Sequence, residues 1–403
     1  MSKKKLLIVI GAGASKEFDF PLADEVSVLF RRWKLRKIKD GIVLYNEIEE
    51  KIQNYYNLNS KEGSSVKKTN YEEILYILYY LDTLLDTSNY QNPILAFIKL
   101  SFFANIENKL SQYDFSNYSS LLIDTLLKYF RDKCKRISIE HADELDRVRL
   151  LLKKISTKYE IGIISLNYDN IFYQAKPDLF TGFDLSGKFQ PLDVLKRQEW
   201  NFIYHLHGSV HFNMKGYEND LHKIFWENNL DANFSQNSFG KDLISTQEGI
   251  GLPNSVIIAG YEKANQIQRQ PFRTYYSILD KLIHETDKFL IIGYSFADFH
   301  VNNALELIKE NGKRNVVIIN YSDDNQNPTA FRHDNFTCNL FKTIPANGDK
   351  MCTKNFDIPP IIAELKKNKE FEISKNKNYP LSIWHNGFME ICNNIDKLLD
   401  ELD

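Results

Sequence analysis

The sequence predicts an α/β protein: a parallel sheet with helices on both faces, a large helical insertion and a helical C-terminal tail. Three observations carry this prediction. Short apolar runs recur along the chain and most end in small or polar residues, as strands buried on both faces do. Between the first two runs, apolar residues return at intervals of three and four, the period of a helix. The composition is that of an ordinary globular protein, 43% hydrophobic and 26% charged over 403 residues.

The first strand is Leu6 to Ile10. It follows Lys3-Lys4-Lys5 and precedes Ala12-Gly13-Ala14, a pattern that imitates a secretory leader. Only five strongly apolar residues stand before Gly11, too short a stretch for that reading, so a buried strand and a cytoplasmic location are expected. From Leu22 to Lys158 the spacing is helical. Ile74, Leu75, Leu78, Leu81 and Leu85 form one stripe, and Leu145, Val148, Leu152 and Ile155 another. Gln53 to Asn70 is polar and is expected to be a loop.

Further strands are expected at Ile161 to Ser165, Phe202 to Leu206, Ser255 to Ala259, Phe289 to Ile292 and Val316 to Ile319. Pro345, Asn347, Gly348, Pro359 and Pro360 mark an irregular connection. A last helix is expected from Phe388 to Leu402. Phe388, Ile391, Ile395, Leu398, Leu399 and Leu402 share one face, which packs on its own chain or, as a second reading, serves self-association.

Several classes are excluded. Lys plus Arg is 51 and Asp plus Glu 53, a net charge of −2, so a uniformly basic nucleic-acid binder and a highly charged disordered chain are both excluded. Cys134, Cys338, Cys352 and Cys392 form no CxxC pair, so a zinc ribbon has no ligands and a reducing compartment is expected. No apolar run reaches the roughly 18 residues of a membrane-spanning helix.

The residues that carry chemistry stand at strand ends. Gly11-Ala12-Gly13-Ala14-Ser15 follows the first strand. Glycines allow a tight turn and close approach to a phosphate, and Ser15 could cap a helix or bond a phosphate oxygen. The third glycine of the dinucleotide fingerprint is absent, and no acidic residue stands where a second strand would place it, so an ordinary dehydrogenase fits poorly. Asn167 and Asp169, two apart after the second strand, point the same way if extended; the plain alternative is an Asx turn. His205-Leu206-His207-Gly208 offers an imidazole for acid–base work. His205, His207 and His211 leave base, metal-ligand and structural roles open. Gly293-Tyr294-Ser295-Phe296-Ala297-Asp298 and Asn320-Tyr321-Ser322-Asp323 put polar groups where ribose and phosphate are held in such sheets.

Taken together, Gly11-Ala-Gly-Ala-Ser15, Phe20-Pro21, Asn167-x-Asp169, His207-Gly208, Gly293-x-Ser295 and Asn320 resemble the sirtuin superfamily in order and spacing. The chain is most similar to bacterial sirtuin-like antiphage-defence effectors that hydrolyse NAD, in the form that works with a HerA-type ATPase. The resemblance implies a Rossmann-like domain from residues 1–20 and 156–345, a helical insertion at 21–155 and a helical segment at 346–403. It departs from the deacylases in two places: the paired CxxC module is missing, so no zinc is expected, and Leu166 stands where they carry Gln.

Carried over by position, the Gly11 to Ser15 loop, with Ala12 and Gly13, would hold the pyrophosphate of NAD. Asn167 would position the ribose and the attacking water, Asp169 would bind the carboxamide or stabilise positive charge, and His207 would contact the ribose or act as base. Gly293 and Ser295, with Asn320, would hold the adenosine half. The implied activity is an NAD glycohydrolase. The implied partners are NAD, further copies of the chain and a HerA-type ATPase, with no membrane and no direct nucleic-acid contact. A deacylase or ADP-ribosyltransferase, and a non-catalytic subunit that binds NAD or ADP-ribose, are the alternatives.

Overall fold

The computed structural model describes residues 3–33, 44–60, 67–85, 112–215, 223–234, 243–245, 251–253, 255–260, 263–309, 314–332, 334–344, 351–352, 361–374, 378 and 380–403. They divide into two compact units. The first is 1–20, 130–210 and 270–403; the second is 21–129 and 211–269.

Among the described residues twelve strands run in chain order: β1 (Lys4–Ile10), β2 (Tyr159–Ser165), β3 (Asn201–His205), β4 (Phe212–Lys215), β5 (Lys223–Trp226), β6 (Leu243–Ser245), β7 (Gly251–Pro253), β8 (Lys288–Ile292), β9 (Asn315–Ile319), β10 (Met351–Cys352), β11 (Glu372–Ser374) and β12 (Leu381–Trp384). Eight of them build the sheet of the first unit in the order β10-β11-β12-β9-β8-β1-β2-β3. The pairs from β12 through β9, β8, β1 and β2 to β3 are all parallel, and β10 and β11 add an antiparallel edge. Counted in chain order, the six parallel strands read 3-2-1-4-5-6, the order of a doubly wound dinucleotide-binding sheet. Ligands in such sheets lie beyond the carboxyl ends of the strands, where the winding reverses, here between β1 and β8.

The continuous apolar runs are explained by burial on both faces. Every residue from Leu6 to Ile10 is buried, as are those from Phe289 to Ile292 and Val316 to Ile319. Each such side chain contributes about 1.5–3 kcal/mol of transfer free energy. The helix Ala142–Lys158 turns Leu145, Val148, Leu152 and Ile155 inward, as its spacing predicts.

The second unit holds the helices Ala23–Arg32, Leu44–Asn59 and Tyr71–Leu85 and the antiparallel pairs β4–β5 and β6–β7. Ile74, Leu75, Leu78 and Leu81 form the buried face of the last helix, and Leu85 lies beyond the side chains described.

Four expectations are corrected or refined. Gln53 to Asn59 is helical, not loop: it continues the helix Leu44–Asn59, and the Gln53 side chain holds the next segment by accepting from Thr69 N–H at 3.1 Å. Ser255 to Ala259 is buried but forms no strand of the sheet. Side chains bond its two ends: Gln266 bonds both the N–H and the carbonyl of Ala259, at 3.1 and 2.8 Å, and Arg269 reaches the Ser255 carbonyl. The terminal helix is two helices, Phe388–Cys392 and Ile395–Leu402, broken at Asn393-Asn394, and its apolar stripe is buried within its own unit. The parallel strand β12 lies in the stretch read as a helical tail. The turn formers Pro345, Asn347, Gly348, Pro359 and Pro360 lie outside the described residues.

Candidate active site

The loop after β1 and the segment after β2 meet in a buried hydrogen-bonded chain. Asn167 Nδ2 donates to the Gly11 carbonyl at 3.0 Å and to Ser15 Oγ at 2.9 Å. The Ser15 hydroxyl in turn donates to Asp169 Oδ2 at 2.6 Å, and Asp169 Oδ1 accepts from the Ile171 N–H at 3.1 Å. Ser165 Oγ accepts from the Asn167 N–H at 3.2 Å and fixes the backbone. Ser15, Asn167 and Asp169 are all buried. The two-residue spacing therefore brings amide and carboxylate onto one serine, and the Asx turn at Asp169 coexists with that convergence.

Burial pushes the Asp169 carboxyl above its ordinary value, while the Ser15 hydroxyl, the Ile171 N–H and the Asn167 side chain work the other way. Donors face both its oxygens, so a carboxylate there would be met on each side. Asn167 has both amide hydrogens engaged, so its Oδ1 remains as the acceptor for a water or a ribose hydroxyl.

The glycines perform a closure of backbone on backbone. Gly11 N–H donates to Ile292 O, Gly13 N–H to Gly293 O and Ala14 N–H to Gly11 O, at 2.9, 2.9 and 3.0 Å. A Cβ on Gly11 would stand 2.6 Å from Gly293 O, and one on Gly13 would stand 2.8 Å from Gly293 Cα. Gly293 itself has φ +61° and leaves 2.1 Å between a notional Cβ and Ala14 N. These N–H groups are engaged within the fold, and so is the Ser15 proton. Ala12 and Ser295 are exposed.

His207 is buried beyond the end of β3, with Nε2 3.1 Å from Asp298 Oδ2, at ion-pair distance but not aligned as a hydrogen bond. Asp298 Oδ1 caps the helix Phe299–Leu305, accepting from the N–H groups of His300 and Val301 at 3.0 and 3.2 Å. The metal reading of the histidines gains no support. His205 is buried at the end of β3 in the first unit. In the second unit His211 Nδ1 lies 2.8 Å from the Glu227 carbonyl, and its ring stacks on Trp226. Among the described residues no group of three or more His, Cys, Asp or Glu side chains could hold a metal ion.

Asn320 is held by its backbone: its N–H donates to Trp384 O at 2.8 Å and its carbonyl accepts from Gly387 N–H at 3.0 Å. Thus direct contacts join Gly11, Gly13, Ser15, Asn167, Asp169 and Gly293. Among the described residues no hydrogen bond ties Ser295 or Asn320 to that group.

Two features escaped the sequence reading. Asp298 stood in a quoted motif without a role, although an Asp just before a helix is a capping signal. The buried set Ser322, His385 and Glu372 joins residues far apart in sequence, and no local signal announces it.

Residues 162–338 match the family model of a SIR2-like domain, which supports a sirtuin-like family for this part of the chain. Solved structures with similarity include a Sir2 homologue–NAD complex (12% identity, 81% of this chain, 80% of that one, TM-score 0.34). Another is a mutant Sir2 homologue with 2′-O-acetyl ADP-ribose (13% identity, 80% and 82%, TM-score 0.34). A third is a mutant Sir2 homologue with ADP-ribose (11% identity, 99% and 94%, TM-score 0.36). No curated protein matches the chain.

Proposed function

We propose that the protein is an NAD glycohydrolase, cleaving NAD with water to nicotinamide, ADP-ribose and a proton. The observation that carries this reading is the buried chain Asn167–Ser15–Asp169, set at the carboxyl edge of a sheet with dinucleotide-binding strand order.

The scissile bond joins a ribose C1′ to a cationic pyridinium, whose departure as a neutral base needs no general acid. What the reaction needs is a negative charge near the oxocarbenium-like transition state and a water held opposite the leaving group. The buried Asp169, as a carboxylate, would meet the first need. Asn167 Oδ1 and His207 meet the second, as acceptors for the water and its proton. The pyrophosphate would lie against Ala12, and the adenosine half toward Ser295 and Asn320. Burial strengthens each of these interactions relative to water.

In its setting, the protein would be the NAD-depleting effector of a bacterial antiphage system, acting in the cytoplasm as an oligomer with a HerA-type ATPase. This part of the reading rests on the resemblance of the motifs.

The test is chromatographic detection of nicotinamide from NAD, with the protein alone and with an ATPase encoded beside it. Asn167→Ala and His207→Ala should each lower the rate by on the order of 10²-fold or more. Full turnover in both variants would overturn the assignment, and binding of NAD without turnover under any condition would favour a non-catalytic subunit.

A further inference from the structure

The segment that follows β8 is built with unusual care for a turn. Phe296 adopts φ +56°, a left-handed conformation that a bulky L-residue rarely takes. Asn302 Nδ2 clamps the Phe296 carbonyl at 2.7 Å. Asn302 N–H donates to the Asp298 carbonyl at 2.9 Å, and the Tyr294 hydroxyl lies within reach of that carbonyl (3.1 Å) and of Asn302 Oδ1 (2.7 Å). Backbone held in such a conformation by its surroundings is a pointer to function. What the clamp fixes is Asp298. One carboxylate oxygen caps the following helix and the other lies 3.1 Å from His207 Nε2, at ion-pair distance without hydrogen-bond alignment, with both side chains nearly shut off from solvent.

We propose that Asp298 is the positioning residue of His207. Its carboxylate retains the imidazole proton on Nε2 and so presents Nδ1, unprotonated, to the substrate. The inference rests on the proposed glycohydrolase reading for what Nδ1 does, but not for the tautomer. A neutral imidazole carries one proton, and an anion beside one nitrogen holds it there. In the reaction the water oxygen bonds to C1′ as the C1′–N bond breaks, with its electron pair passing to the pyridine nitrogen. The water proton passes to Nδ1, and the carboxylate on the far side stabilises the imidazolium that forms. The helix cap has a further consequence: Oδ1 is occupied by two N–H groups, so the carboxylate cannot rotate away from the ring.

The decisive variant is Asp298→Asn, which keeps an oxygen for the cap while removing the charge. Ring-labelled ¹⁵N-histidine NMR, assigned with His207→Gln, reads the tautomer without any substrate. The wild-type neutral ring should show a pyrrole-type Nε2 and a pyridine-type Nδ1, and Asp298→Asn should lose that preference. A wild-type ring protonated on Nδ1, or an identical tautomer in the variant, overturns the proposal. In the activity arm, kcat should fall by roughly 10²- to 10⁴-fold with the melting temperature unchanged, as expected where a wrong tautomer disables a base. Asp298→Glu should restore part of the rate. Loss of rate together with loss of folding in Asp298→Asn would show that the cap is the residue's whole role and overturn the proposal. A wild type with the Nε2–H tautomer but no NAD turnover would sink the glycohydrolase reading and leave the positioning intact.

Discussion

Replacing Glu372 by Gln tests whether the set that joins β11 to the segments after β9 and β12 acts as a clamp. His385 Nδ1 lies 2.9 Å from Ser322 Oγ, and Nε2 lies 2.8 Å from Glu372 Oε2. Glu372 and His385 have no exposed surface. Burial alone would raise the Glu372 carboxyl, but the hydrogen bond and charge of His385 outweigh it and hold the group below its ordinary value. Breaking a buried pair by removing one charge costs about 3–5 kcal/mol. Gln retains one neutral hydrogen bond, about 1 kcal/mol, so the expected net loss is roughly 2–4 kcal/mol. That is a large part of a typical total of about 5–15 kcal/mol. Equilibrium urea denaturation followed by tryptophan emission reads it, since Trp384 is fully buried next to His385. A depressed folded value means that the stabilisation is complete above the unfolded carboxyl value, about 4.3, and is lost as pH falls through the folded value. The difference between wild type and Glu372→Gln should therefore shrink as pH falls below about 4. Glu372→Met combined with His385→Leu should recover most of the loss, because well-packed apolar groups replace such pairs at little cost. A loss under about 0.5 kcal/mol at neutral pH, or one that does not change in acid, would refute the reasoning.

Two further substitutions follow from the site geometry. Gly293→Ala places a Cβ 2.1 Å from Ala14 N and 2.4 Å from the Gly13 carbonyl carbon at φ +61°, so the left-handed penalty of about 1–2 kcal/mol is a minimum and the main chain must also shift. Its melting temperature should fall by several degrees; an unchanged thermal transition contradicts the closure described here. Ser15→Ala removes a donor to Asp169 and an acceptor for Asn167, at a cost of about 2–3 kcal/mol. Because the Ser15 hydroxyl holds the Asp169 carboxyl down against burial, its loss should move the acid limb of the pH–rate profile to higher pH. An acid limb in the same place would show that Asp169 does not govern it.

Much of the sheet was legible because its chemistry is local. Leu6 to Ile10, Phe289 to Ile292 and Val316 to Ile319 are apolar throughout, and only burial on both faces accounts for that. β12 was not legible: it has four residues, Ser382 among them, and takes its place from pairing with β9. Ser255 to Ala259 misled for the opposite reason. It is as apolar and as buried as a strand, but it joins no strand of the sheet, and the side chains of Gln266 and Arg269 bond its backbone at Ala259 and Ser255. Periodicity cannot distinguish these cases, since it reports burial and not what satisfies the N–H and C=O groups. In the candidate site, the two-residue spacing of Asn167 and Asp169 suggested that both face one way, and both meet Ser15. Asp298 and His207 were not legible as a pair, because 91 residues separate them and only the β3 and β8 strand ends bring them within 3.1 Å.

The position of β1 gives the site its coherence. With β2 on one side and β8 on the other, the loop after β1 is the segment that can reach both flanks of the winding reversal. It does so through its backbone: the Gly11 carbonyl receives Asn167 from the β2 side, and the Gly13 N–H seizes Gly293 from the β8 side. A glycine pair that admits a phosphate and a glycine pair that admits a neighbouring main chain leave the same mark in a sequence, because both require the absence of a Cβ. Here the second requirement is met outright, at distances no side chain would tolerate. Anything that shifts Gly293 therefore moves the Asn167–Ser15–Asp169 chain, and through residues 293–298 it also moves the Asp298 carboxylate against His207. The amide–carboxylate and imidazole halves of the proposed site are thus linked along the chain through the Gly11, Gly13 and Gly293 backbone contacts.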